Sequence, residues 1–240
     1  MNRIVEKRRG VFRITFLTFS ITIAISSLLI ILAMSLYPGG NFAGLDIDRF
    51  SLVYNGLCDM REVIAINGEP NLASSILVKM GITGISIATT FFFGALCFLF
   101  QRKRSTKYLS IIASLFGVAQ GPLFAMIILL PASYEVHMTF VVLAPLFQYL
   151  AVILYTIVYL FDKGLPKVNV VSFLVLAITT IVFIIIVGIA SGVGGNFHYI
   201  TNRLGTNLFN FISIIIYIIQ GLGLFFYLKK TTHMVPIEIT

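Results

Sequence analysis

Charge is the scarcest commodity in this sequence. Lys, Arg, Asp and Glu make up 11% of 240 residues while 58% are apolar, against about 25% charged in an ordinary soluble domain. A water-soluble monomer is excluded. Cysteine is nearly absent as well. Cys58 precedes the second long apolar run and Cys97 lies near the inner end of it, roughly 35 Å from its start at 1.5 Å per helical residue, whereas a disulfide needs Cα atoms within about 7 Å. An internal disulfide is therefore excluded. The three histidines, His137, His198 and His233, are too few and too scattered for the convergent metal ligands of an intramembrane zinc hydrolase. A site from His137, His198 and Asp59 is sterically conceivable, and no ligand spacing supports it. No lysine lies between Arg203 and Lys229, and only six long apolar runs exist, so a retinal protein with a lysine in its seventh helix is excluded. No catalytic or cofactor motif stands out, and neither a cofactor nor a metal is expected.

What the sequence has is length without polarity. Six apolar stretches of about twenty residues or more occupy 11–37, 74–100, 108–130, 137–161, 169–190 and 206–228, each long enough to cross a bilayer as a helix. They predict an all-α, polytopic six-span bundle, with residues 1–240 forming a single integral membrane domain. Basic residues before the first run suggest a secretory signal, but its apolar core is too long and Tyr37-Pro38-Gly39-Gly40 is a poor cleavage site, so a retained first helix is expected.

The net charge of +8 and a pI near 9.6 would point to nucleic acid in a soluble protein. Here the charges sort by membrane side, and no nucleic-acid partner is expected. The N-terminus, the 101–107 and 162–168 loops and the tail hold 5, 4, 2 and 2 Lys/Arg, 13 of the 17. Arg49, Arg61, Lys79 and Arg203 remain for the other side, together with six of the nine acids. The positive-inside rule then places both termini in the cytoplasm of a cell-membrane protein. The basic clusters act first as topology determinants, and membrane lipid is their expected partner.

The 36-residue connection at 38–73 is too long to be a plain turn. Phe50, Tyr54, Leu57 and Ile64 recur near helical spacing after Asp46 and Asp48, predicting a short amphipathic helix across the outer mouth of the bundle. In the fourth span His137, Ala144, Gln148, Ala151 and Tyr155 share one stripe. Pro145 beside it deprives the Val141 carbonyl of its donor, which in a bilayer requires burial in protein or a wet cavity. Ser110, Ser114, Gly117 and Gly121 form a small-residue packing face on the third span. In the sixth, Asn210, Ser213, Tyr217 and Gln220 occupy one arc, with Asn207 at its outer edge. Lys79, Ser86, Thr90 and Cys97 mark the second span, where Lys79 is close enough to the boundary to snorkel.

The Tyr-Pro-Gly-Gly that closes the first span, Tyr-Asn-Gly-Leu-Cys-Asp-Met at 54–60, Gly68-Glu69-Pro70-Asn71 and His137 together resemble the domain of unknown function 998 family. The resemblance spans nearly the whole chain, with its motifs concentrated in residues 37–80. It implies six helices and a membrane location, and no activity. Relatives carry Asn-x-x-Ser-Asp-Leu where this chain has Asn55-Gly56-Leu57-Cys58-Asp59-Met60, so a carried-over role rests on Asn55 and Asp59.

Three functional classes fit. The preferred one is binding of a lipid-like or small polar ligand in an outward-opening intramembrane cavity, with Asp59, Lys79, His137, Gln148, Asn207 and Asn210 as candidate ligand-binding residues. An intramembrane lipid-modifying enzyme with Asp59 and His137 as acid and base is the second. An accessory protein whose loop and small-residue faces meet a partner is the third. No internal repeat relates the two three-helix halves, which argues against active transport.

Overall fold

The computed structural model describes residues 2–44, 47–101, 103–129, 134–162 and 164–230. Six long helices carry most of them: α1 (Asn2–Leu36), α2 (Leu72–Leu96), α3 (Arg104–Leu129), α4 (Tyr134–Phe161), α5 (Lys167–Val193) and α6 (Gly195–Lys230). Each contains a segment apolar and long enough to span a bilayer, from Thr139–Phe161 in α4 to the whole of α6. Every helix packs on its chain neighbours, and α6 returns to α1, so the six close into a ring.

Small residues make the ring tight. A Cβ at Gly81 would sit 2.8 Å from the Ser26 carbonyl of α1, and one at Gly121 2.7 Å from the Ser86 carbonyl of α2. At Gly117 it would enter the Phe93 ring, and at Gly221 it would meet the Phe16 carbonyl of α1 at 2.8 Å. Without a hydrophobic force between helices in lipid, such close backbone approach is what holds neighbours together. The seam between α4 and α5 is the sparsest of the ring. At its end nearer the termini, Tyr159 stacks on Phe173 at 5.0 Å and Thr156 donates to the Phe173 carbonyl.

The interior is unevenly filled. In the half nearer the termini, Phe19 stacks on Phe92 at 4.2 Å, and Phe93, Tyr155, Phe100 and Tyr159 continue the aromatic packing. Asn169 and Gln220 lock α5 to α6 there, with the Asn169 amide donating to Gln220 Oε1 at 2.8 Å and the Gln220 amide to the Asn169 carbonyl at 2.7 Å. The half nearer the 38–71 connection is hollow.

Two expectations are corrected. The amphipathic helix of the first loop reduces to one 3-10 turn, Leu57–Met60, amid irregular backbone. Side chains explain why: Asn55 and Asp59 take up the Gly40 carbonyl and the Ser51 and Gly56 N–H groups, offering the backbone an alternative to helix. Asp48 caps no helix, and Asp46 lies outside the described residues. The second concerns residues 191–205, which lie outside the fifth and sixth spans as read from the sequence. Only Gly194, at φ +73°, interrupts the helices there. The polar residues of that stretch hid its helical spacing.

Candidate functional site

The 38–71 connection folds over the hollow end of the ring as a cap. Asn55, wholly buried, is its hub: the carboxamide donates to the Gly40 carbonyl at 2.8 Å and accepts from the Ser51 N–H at 3.0 Å. Asp59 accepts from the Gly56 N–H at 3.0 Å and from Asn55. Asn71 and Ser75 fasten the far end of the cap to α2 through the Met60, Glu62 and Arg61 carbonyls.

A stripe of α6 fastens the other side. Tyr199, Arg203 and Asn207 follow one another at four-residue spacing and so share a helix face. The Tyr199 hydroxyl donates to the Tyr54 carbonyl at 2.7 Å, Arg203 pairs with Asp59 at 3.4 Å, and Asn207 donates to the Leu52 and Asn55 carbonyls at 2.9 and 2.8 Å. The Arg203 guanidinium also lies over the Tyr199 ring. It approaches Gly56 so closely that any side chain there would strike it. Burial pushes the Asp59 carboxyl above its usual range, with Arg203, the Gly56 N–H and Asn55 pulling it back.

Arg61 makes the third attachment. Its guanidinium bonds Glu62 at 2.8 Å, the Ile127 carbonyl at the end of α3, and His137 Nδ1 at 2.7 Å. Because a guanidinium can only donate, Nδ1 must accept, and His137 is the neutral Nε2–H tautomer. Burial and then Arg61 hold its pKa below the ordinary histidine value.

Beneath the cap lies a cavity of about 430 Å³. Val141, Pro145 and Gln148 of α4 form one wall and Phe183 and Val187 of α5 the other, with Arg203 and Gly56–Cys58 as the roof. Stacked Phe183 and Phe209, with Tyr149 against both, make its floor. Val142 of α4, 61% exposed, and exposed Asn202 of α6 lie at its rim. Pro145 and Val141 both line this space, in keeping with a backbone carbonyl left unpaired by the proline.

The candidate residues separate into two groups. Gln148 and Asn210 line the cavity, and Gln148 donates to the Tyr217 hydroxyl at 3.2 Å. Asn207 borders the inner end of the hollow while tying down the cap. Asp59 and His137 hold the cap and are not among the lining residues, and neither is half-buried Lys79. Among the described residues no three His, Cys, Asp or Glu side chains gather as a metal site, and His233 lies outside them. Sequence reasoning missed Tyr199 and Arg203. The signal was present, since 199, 203 and 207 continue the polar arc of the sixth span at helical spacing. Compared with protein-family models, curated proteins and solved structures, the chain matches none.

Proposed function

We propose that this six-span protein binds a lipid-like amphiphile in the lateral cavity, and that its termini face the cytoplasm so that the cap lies outside. One observation carries the reading: a cavity of about 430 Å³ with largely apolar walls beneath Arg203 is bordered by α4 and α5, the sparsest seam of the ring, and has exposed Val142 at its rim, so that it opens sideways toward lipid. That volume falls within the ordinary range of roughly 300–1,000 Å³ for ligand sites. A ligand entering between α4 and α5 would keep its tail in the bilayer while its polar end reaches Gln148, Asn210 and Arg203. The motifs at 37–40, 54–60 and 68–71 support membership in the domain of unknown function 998 family and treatment of all 240 residues as one membrane domain. The enzyme reading gains nothing from the geometry, because Asp59 and His137 are each committed to the cap.

The mouth is the place to test this. Val142 is exposed, so Val142→Trp narrows the entrance without disturbing the packed interior. Native mass spectrometry of the detergent-purified protein should show a retained amphiphile in the wild type and most of it lost in the variant. Equal retention in both, or none in the wild type, overturns the proposal.

A further inference from the structure

Behind the lateral cavity, toward the bundle axis, is a smaller chamber of about 50 Å³. The two share Leu57, Ile82, Phe124, Gln148 and Asn210 as walls, so they are adjoining parts of one hollow. Gln120 and Ser213, 3% and 5% exposed, line the inner chamber, and among the described residues neither Gln120 Oε1 nor Ser213 Oγ has a hydrogen-bond partner. Buried polar atoms are nearly always satisfied, and an orphan in a native structure calls for an occupant that satisfies it. At roughly 30 Å³ per water molecule, the chamber suits one or two waters or a small hydroxyl-bearing group.

The occupant's charge follows from the lining. Among the described residues none around the inner chamber is charged, and Arg203 is the one charged residue bordering the outer cavity. Its guanidinium already faces the buried Asp59 carboxylate and the Tyr199 ring. An ion moved into such a space would be desolvated without a counter-charge, whereas an uncharged hydroxyl would find an acceptor in Gln120 and a partner in Ser213.

We infer that the inner chamber takes the terminal hydroxyl of an uncharged headgroup whose remainder lies in the adjoining cavity, so that the amphiphile is a neutral lipid of the monoacylglycerol type. This rests on the lateral cavity binding an amphiphile and adds the chemistry of its head. The hydroxyl would sit against Gln120 Oε1 and Ser213 Oγ while the acyl chain leaves through the α4/α5 mouth.

The test is thermal unfolding of the purified protein titrated with monooleoylglycerol, oleoyl lysophosphatidate or free glycerol, since a ligand bound only to the native state raises the melting temperature with its concentration. Monooleoylglycerol should raise it, lysophosphatidate distinctly less, and glycerol at equal concentration not at all. Gln120→Leu and Ser213→Ala should each weaken monooleoylglycerol about tenfold, the loss expected for one buried hydrogen bond. Ser213→Ala is small enough to keep the fold if Gln120→Leu does not. Unchanged affinity in both variants, with the effect still abolished by Val142→Trp, overturns the subsite and leaves the cavity reading standing. Equal binding of lysophosphatidate overturns the uncharged headgroup, and an equal response to glycerol overturns the lipid source. No response to any amphiphile overturns both readings.

Discussion

Asn55 shows how much of the cap hangs on single side chains. Its carboxamide satisfies two backbone groups and one carboxylate in a fully buried position, so Asn55→Ala should destabilise the protein by about 2 kcal/mol, because its partners stay buried and unpaired. A shift in thermal unfolding measures this, and a change within error would mean that water reaches the cap. His137 adds a pH dependence. Its folded-state pKa is held below the ordinary value by burial and by Arg61, so the unfolded chain takes up a proton first as pH falls. The Arg61 contact is therefore fully stabilising above the ordinary histidine value of about 6.5 and is lost as pH drops through the lower folded-state value. Hydrogen exchange at residues 57–75 should quicken over that window in the wild type and change little in His137→Gln. The same quickening in both would assign the effect to Asp59 or another acid.

At the level of helices, the seams differ in kind. The α2/α3 seam depends on glycine, since Gly117 and Gly121 leave no room for a Cβ against Phe93, Ser86 and Thr90, and the Ser114 hydroxyl donates to the Phe93 carbonyl across it. Gly117→Leu with Gly121→Leu should abolish the single monodisperse peak in size exclusion, because leucine forces the two helices apart. Wild-type behaviour would mean that α3 can turn this face away from α2. This seam could be read from the sequence, as its small residues recur at helical spacing. So could the inward arc of α6, where Ser213, Tyr217 and Gln220 are all buried, and the cavity-lining pair Val141 and Pro145. The cap could not be read that way. Its bonds join Asn55 to Gly40, 15 residues away, and Asn207 to Leu52, 155 residues away, and no periodicity encodes partners so distant. Arg203 differs, since its helical spacing with Tyr199 and Asn207 is legible in the sequence and only its partner Asp59, 144 residues away, is not.

For the molecule as a whole, the ring and the cap together set which surface meets which compartment. An even number of spans brings both termini to one face and the cap to the other, and only the distribution of charge chooses between the two orientations. Thirteen Lys and Arg lie in the segments at the termini face and four elsewhere, a bias that supports the proposed cytoplasmic termini. The natural cysteine of the cap is a poor reporter of this, because burial pushes the Cys58 thiol up to about 11 and leaves little thiolate at neutral pH. Exposed positions serve better, so in a Cys58→Ala, Cys97→Ala background Glu69→Cys would report the cap and Ser105→Cys the opposite face. An impermeant maleimide added to intact cells should label the cysteine at 69 and reach that at 105 only after the membrane is opened. The reverse pattern would put the cap in the cytoplasm and turn the lateral mouth toward the inner leaflet, changing which lipids can enter while leaving every contact of the cavity in place.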